Sequence, residues 1–273
     1  MRRSIRFLVA AVAAVSVSVP VALAGAESAT GGAVREPAIG ASAPAIAQPG
    51  DSVAAKVHAA EQALAAARAA ATPPAEIARV RPGRTVALRA RPNGRTRLNV
   101  GATTEFGSPQ ALGVVRRRGA WLGVTTAALP NGSLGWVHRR DAGLALARTR
   151  WSIHADVSRR RIVLRRDGRT VRRLAVAVGR PGSPTPVGRF AVTDKLHGGR
   201  FGPYYGCCVL AISATQPKTP PGWTGGNRMA IHGTDDPGSI GAAASAGCLR
   251  AADGDLRYLI DRVPLGTPVV IRP

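Results

Sequence analysis

A histidine and a cysteine lie sixteen residues apart in a segment that is rich in small residues. The stretch IHGTDDPGSIGAAASAGCLR, residues 231–250, contains His232 and Cys248. A free thiol is only a few per cent thiolate at neutral pH, so a nucleophilic cysteine needs a neighbouring base to take its proton. The pair therefore allows nucleophilic catalysis by a thiol, although a cysteine taken alone is more often a small core residue.

The amino terminus has the pattern of a secretory signal. Three arginines within residues 1–6 precede an apolar run over residues 7–24, and the small residues of ALAGA offer a cleavage site after Ala24 or Ala26. The alternative is a retained membrane anchor, but two serines and a proline interrupt the run. The pattern predicts a cleaved signal over residues 1–26, no transmembrane segment after cleavage, and a location in the periplasm or cell wall.

The charge balance is strongly positive, with 38 basic and 15 acidic residues and a formal net charge of +23. Such an excess indicates a polyanionic partner, because the summed field concentrates anions at the surface. Almost all of the basic residues are arginine, so a GC-rich genome explains the excess about equally well. Export and the lack of a recognition motif argue against nucleic acid. Anionic cell-wall polymers are the polyanions that remain.

Two further cysteines, Cys207 and Cys208, are adjacent to each other. An odd number of cysteines in an exported chain leaves at least one thiol unpaired, and a bridge between two neighbours is not expected. Neither the cysteines nor the five histidines show the paired spacing of a zinc site. The sequence therefore predicts no metal and no cofactor.

Composition changes twice along the middle of the chain. Residues 27–77 combine an Ala-, Gly-, Ser- and Pro-rich spacer with an Ala-rich helical segment. Residues 78–148 alternate short apolar runs with Asn-Gly and Gly-rich turns, which is typical of a small antiparallel barrel. Their GAWLGV and GSLGWV runs resemble the bacterial Src-homology-3-like domains. Trp121 and Trp136 in these runs are either core residues or a ligand platform, and for Trp121 we favour the core.

The last part of the chain, residues 149–273, shows the alternation of successive hairpin strands and a single convincing helix. Asp253 or Asp255 is placed to cap this helix, and Gly266 to end it. A final strand, TPVVIRP, closes the chain. This part is predicted to be mainly β.

Several motifs of this part occur in one order: SPTPVG at residues 183–188, HG at 232–233, and SAGC followed by arginine at 245–250. The set resembles the catalytic signature of the L,D-transpeptidases, exported cysteine enzymes that act on bacterial peptidoglycan. The resemblance implies a mainly β fold, in which a Src-homology-3-like barrel precedes an L,D-transpeptidase catalytic domain of mixed β-sheets with one short helix.

The resemblance also implies roles for single residues. Cys248 would be the nucleophile and His232 the base that takes its proton. The carbonyl of Gly233 would fix the imidazole tautomer in place of a triad side chain. The backbone N–H groups of Gly247 and Cys248 would bind the developing oxyanion.

Other residues near the motif have more than one interpretation. Arg250 either binds a carboxylate of the stem peptide or braces the loop. Ser245 and Tyr205 are expected to contact substrate, although packing explains Tyr205 and its neighbour Tyr204 equally well. Ala246 stands where many family members have a second histidine, a departure that bears on rate and substrate fit.

The reaction implied is a two-step acyl transfer on peptidoglycan stem peptides. Cys248 would attack the bond between the third residue of a tetrapeptide stem and its terminal D-Ala, and an amine of a neighbouring stem would receive the acyl group in a 3→3 cross-link. Water as acceptor would give an L,D-carboxypeptidase, and a protein amine would give covalent anchoring. The resemblance also predicts acylation of Cys248 by carbapenems. The alternative from another class is a non-catalytic cell-wall-binding protein.

Overall fold

The structure is a computed structural model that describes residues 53, 55–62, 72–222, 224 and 226–273. The predicted signal and the spacer that follows it lie outside the described residues. Residues 55–62 are helical and exposed, as expected for the Ala-rich segment. No helix within the described ranges is long and apolar enough to cross a membrane.

The first sheet has seven strands, all paired antiparallel, in the order β3-β2-β6-β5-β4-β1-β7. Its strands are β1 (Ala75–Val80), β2 (Val86–Arg89), β3 (Thr96–Val100), β4 (Ala111–Arg118), β5 (Trp121–Thr125), β6 (Gly135–His138) and β7 (Leu144–Thr149). Val100 at one end of this order and Leu144 at the other belong to the same apolar cluster. The sheet therefore curls around one core, although its assignment to the Src-homology-3-like class stays a prediction.

The predicted boundary of this part at residue 78 is wrong. Residues 75–77, which were assigned to the linker, begin β1, and Ile77 is fully buried. The strand runs between β4 and β7, so its residues pair on both sides. The run AEIARV is too short, and too close to the preceding prolines, for its alternation to stand out in the sequence.

The second sheet has eight strands in the order β10-β9-β8-β17-β12-β13-β14-β16, and β11 pairs with β15 beside it. Its pairing is mixed, because β8 with β17 and β14 with β16 are parallel and the other neighbours are antiparallel. The strands are β8 (Trp151–Asp156), β9 (Arg161–Arg166), β10 (Arg169–Ala175), β11 (Val178–Gly179), β12 (Gly188–His197), β13 (Cys208–Thr215), β14 (Arg228–His232), β15 (Ala243–Ser245), β16 (Leu249–Arg250) and β17 (Pro268–Arg272).

One helix, Asp253–Arg262, packs on the second sheet through Leu256 and Leu259. The mainly β fold with mixed sheets and one short helix in this part is thereby confirmed. The predicted helix ends are wrong: the N-cap is Ala252, without a side-chain cap, and the helix stops before Pro264 rather than at Gly266. The Asp253 carboxylate instead accepts a hydrogen bond from the backbone N–H of Cys207 at 3.0 Å.

The two sheets pack against each other, and their backbones approach closely where glycines lie between them. A Cβ on Gly113 of β4 would overlap the Cβ of Ala191 in β12, and one on Gly266 would overlap the Ile77 side chain. Asn131 bonds the backbone of Thr215 as both donor and acceptor, at 2.6 and 3.0 Å. The first sheet is therefore joined to the sheet that carries the site.

Cys207 and Cys208 form a disulfide, so the expectation that they do not pair is wrong. Cys207 lies in the turn after Gly206, and only Cys208 belongs to β13. The alternation that sends neighbouring strand side chains to opposite faces therefore does not apply to this pair. Cys248 is the remaining, free cysteine.

Candidate active site

His232 is the last residue of β14 and is fully buried. Its Nδ1 lies 2.6 Å from the carbonyl oxygen of Gly233. Because a carbonyl only accepts, Nδ1 carries the proton of the neutral ring and Nε2 keeps a free lone pair. Nε2 has no hydrogen-bond partner within the part of the chain that the structure describes. Burial lowers the pKa of His232 to about 4, against the effect of the Gly233 bond, so the ring is neutral at pH 7.

Cys248 precedes β16, whose parallel pairing matches Ile231 with Leu249 and His232 with Arg250. Continued by one residue, this register sets Cys248 beside Ala230, and alternation then puts the thiol and the imidazole on one face of the sheet edge. Burial raises the pKa of the thiol, while a backbone hydrogen bond with Ala230 and the charge of Arg250 oppose the rise. At neutral pH the thiol and the imidazole are therefore both uncharged, and they lie on the same face of this sheet edge.

The turn before Cys248 is held by Ser245, which is fully buried. Its hydroxyl donates to the Cys248 carbonyl at 2.6 Å and accepts from the Gly247 N–H at 3.0 Å. The expectation that Ser245 contacts substrate is therefore wrong in this geometry, because its hydroxyl is enclosed and used inside the turn. The Gly247 N–H is likewise not a free oxyanion donor here, since it is bonded to Ser245.

Three side chains from elsewhere in the sequence hold the two carbonyls of this turn. Thr185 donates to the Gly247 carbonyl at 2.7 Å, and Gln216 donates to the Ala246 carbonyl at 3.0 Å. Ser183 lies 3.3 Å from the same Ala246 oxygen. In a trans peptide the N–H points away from the C=O, so the bond from Thr185 directs the Cys248 N–H to the opposite side. The SPTPVG segment thus sets the orientation of the peptide before the thiol.

Arg250 contacts the side chain of Tyr204. Its Nη2 donates to the Tyr204 hydroxyl at 2.5 Å, and its guanidinium lies 4.4 Å from the centre of the Tyr204 ring. Nη1 lies 3.4 Å from the Ser239 hydroxyl. Of the two predicted roles for Arg250, bracing is observed, and binding of a substrate carboxylate stays a prediction.

Tyr205 packs on His232, with its ring 4.8 Å from the imidazole. Burial raises the pKa of Tyr205, and proximity to Cys248 raises it further, so the phenol stays protonated. Two clefts meet at this tyrosine, and both include Cys248 in their walls. Tyr205 is therefore placed to contact a substrate, a role that stays a prediction.

Four residues of the site were not found from the sequence: Thr185, Gln216, Tyr204 as a partner of Arg250, and Phe106, which lines one of the two clefts. The TP of the SPTPVG motif gave a signal for Thr185, but no local pattern connects a threonine with a carbonyl 62 residues away. Gln216 and Phe106 had no motif around them. Within the described ranges, no group of three or more His, Cys, Asp or Glu side chains is arranged to hold a metal ion.

The fold and the site define a class: a mainly β domain with a histidine and cysteine pair of the kind that performs nucleophilic catalysis. Residues 150–271 match the family model of the YkuD L,D-transpeptidase catalytic domain. The match covers slightly less than half of the chain and confirms the resemblance seen in its motifs.

Individual relatives carry the same family name. The YkuD protein of Bacillus subtilis (strain 168), named as an L,D-transpeptidase, is 31% identical over 123 residues, which are 44% of this chain and 65% of the relative. Its counterpart from Bacillus licheniformis is 33% identical over 125 residues, 45% of this chain and 66% of the relative. The match thus spans slightly less than two thirds of each relative. Among solved structures, L,D-transpeptidase 3 from Mycobacterium tuberculosis has 17% identity and a TM-score of 0.36, covering 51% of this chain and 74% of that chain.

Proposed function

We propose that this protein is an exported L,D-transpeptidase that cross-links peptidoglycan stem peptides through a thioester on Cys248. The observation that carries the proposal is the fixed tautomer of His232, whose Nδ1 is bonded to the Gly233 carbonyl at 2.6 Å. The bond leaves Nε2 as a base on the same face of the sheet edge as the thiol. The family of residues 150–271 supplies the substrate class, the peptidoglycan stem.

The first step forms the thioester. Nε2 of His232 takes the thiol proton as the sulfur of Cys248 attacks the carbonyl carbon of the third residue of the stem. The C–S bond forms, the C–N bond to the terminal D-Ala breaks, and the imidazolium returns its proton to the departing amine. A His232 pKa of about 4 suits this return, because an acidic imidazolium gives up its proton readily.

The second step transfers the acyl group. An acceptor amine of a neighbouring stem attacks the thioester carbon, the C–S bond breaks, and the proton lost by the amine returns to the sulfur by way of His232. The product is a 3→3 cross-link. Water in place of the amine would give hydrolysis and make the protein an L,D-carboxypeptidase, and both reactions use the same Cys248 thioester.

The negative oxygen formed in both steps needs hydrogen-bond donors. The Cys248 N–H is the proposed donor, because the bond from Thr185 to the Gly247 carbonyl at 2.7 Å turns that N–H away from the SPTPVG segment. The Gly247 N–H would join it only after leaving the Ser245 hydroxyl. Arg250 braces Tyr204 beside the imidazole and so helps to hold the ring in place.

Product analysis tests the proposal. The protein without residues 1–26 is incubated with disaccharide tetrapeptide, and D-Ala release and dimer formation are followed by mass spectrometry. We expect both products with the wild type and neither with Cys248→Ala or His232→Ala. The matched control is His154→Ala, because His154 lies in β8 and contacts Ser152 instead of the site. A wild type that acts no faster than Cys248→Ala would leave the protein as a wall-binding protein only.

A further inference from the structure

A loop of the first sheet lies on the sheet that carries the site. The loop joins β3 to β4 and is closed by the bridge between Thr103 and Pro109. Thr104 donates a hydrogen bond to Asp194, a fully buried carboxylate of β12. Glu105 forms an ion pair with Arg228, the first residue of β14. Two polar contacts therefore clamp this loop, residues 103–109, to the strands next to Cys248.

These two contacts place Phe106 at the apolar cleft that includes Cys248. The Phe106 ring meets Phe201 edge-on at 6.1 Å, and Phe201 meets Tyr205 at 5.6 Å. Phe106 also packs against an apolar cluster whose partly buried members include Tyr205 and Cys248 and whose buried members are Leu196, Val209 and Ala230. Phe106 thus forms one wall of a cleft whose lining also includes Cys248 and Tyr205.

The two clefts that meet at Cys248 differ in character. The Phe106 cleft is lined mainly by aliphatic and aromatic side chains. The other cleft includes Gln216, Thr219 and Asn227, which carry amide and hydroxyl groups. A carbonyl group that Cys248 attacks carries one substituent on each side. A substrate with an aliphatic part and a polar part would therefore place one part in each of the two clefts. The aliphatic part is expected to contact Phe106, because moving apolar surface out of water lowers the free energy of binding.

We propose that Phe106 determines substrate specificity by contacting the aliphatic part of a stem peptide in this cleft. The inference rests on the proposed function and deepens it. Residue 106 lies outside residues 150–271, so the first sheet would supply a wall that the family domain of this chain does not contain. The functional unit would then consist of both sheets.

Steady-state kinetics on the full mature chain test this role. Phe106→Ala should raise the KM for the tetrapeptide about tenfold and change kcat less than about twofold, because it removes apolar contact made equally in the ground and transition states. Phe106→Leu keeps part of the contact and should raise KM about threefold. Leu146→Ala is the matched control, since Leu146 is a partly exposed residue of the same sheet, in β7, and does not line either cleft.

Two further measurements separate the possible results. Alkylation of Cys248 by iodoacetamide should proceed at the wild-type rate in both Phe106 variants, which shows that the thiol is intact. If Phe106→Ala unfolds, Phe106→Leu decides. Varying donor and acceptor concentrations separately tells which of the two stem peptides lies against Phe106.

Unchanged KM values for both donor and acceptor in a folded Phe106 variant, with an active wild type, would overturn the specificity role alone. A wild type without turnover would overturn the proposed function, and the specificity role with it.

Discussion

Removing the Thr185 hydroxyl is the most informative change outside the reacting residues. Thr185 is buried, accepts a hydrogen bond from the Gly179 N–H at 2.8 Å and donates one to the Gly247 carbonyl at 2.7 Å. Thr185→Val keeps the shape of the side chain and deletes both bonds. The peptide between Gly247 and Cys248 then loses the contact that fixes its plane, and the Cys248 N–H loses its direction.

The expected effect is larger on catalysis than on stability. A buried polar group left without a partner costs about 1–3 kcal/mol of folding free energy, and one donor lost from an oxyanion hole costs about 2.7–4 kcal/mol of barrier. Gln216 still holds the neighbouring Ala246 carbonyl at 3.0 Å, so the turn keeps part of its restraint. We therefore expect a loss near the lower end, about a hundredfold in kcat, with little change in KM.

The assay compares D-Ala release by the wild type, Thr185→Val and Thr185→Ser, with thermal unfolding measured on each protein. Thr185→Ser retains the hydroxyl and should restore most of kcat, which a role in packing alone does not predict. A folded Thr185→Val variant with kcat within about threefold of wild type would show that the orientation of the Cys248 N–H does not depend on this bond.

Three further predictions concern the site and the sheet contact. The rate of D-Ala release, as kcat/KM, should fall only as the pH drops through about 4, where His232 gains a proton and can no longer act as base; an acid limb between pH 6 and 7 would contradict this. Alkylation of Cys248 by iodoacetamide should still be rising at pH 9, since the thiol pKa is raised, whereas a plateau at neutral pH would indicate a preformed thiolate. Ile77→Ala should lower the free energy of unfolding by about 2–5 kcal/mol in urea titrations, because Ile77 is fully buried against Gly266. A loss below about 1 kcal/mol would indicate that residues 75–77 belong to the linker and not to the first sheet.

The sequence predicted the match to the L,D-transpeptidase family model and the mainly β fold because both depend on local signals: alternation, turn residues and motifs that stand in order. It also predicted that the Gly233 carbonyl fixes the His232 tautomer, as the 2.6 Å bond to Nδ1 does, whereas the catalytic roles of His232 and Cys248 remain a proposal. It did not predict that Thr185 directs the Gly247 carbonyl, or that Phe106 reaches the cleft. A period of two residues says which face a strand residue occupies, but not which distant residue lies opposite.

The remaining wrong predictions concern where a strand begins and which side chains are buried. Ser245 was expected to contact substrate because its place in the motif says nothing about exposure, and in the structure its hydroxyl is enclosed by the turn. The start of β1 at Ala75 was missed because a short strand after two prolines resembles a linker. In both cases the deciding contacts come from distant parts of the chain.

We propose that Cys248 carries the acyl group of the stem peptide during turnover. Acid quenching of the wild type during turnover of the tetrapeptide, followed by intact-mass and peptide mass spectrometry, detects this intermediate. We expect an adduct equal to the donor minus D-Ala, attached to Cys248, which disappears when an acceptor amine is added and is missing from Cys248→Ala. Turnover with no adduct on Cys248, or an adduct on another residue, would contradict it.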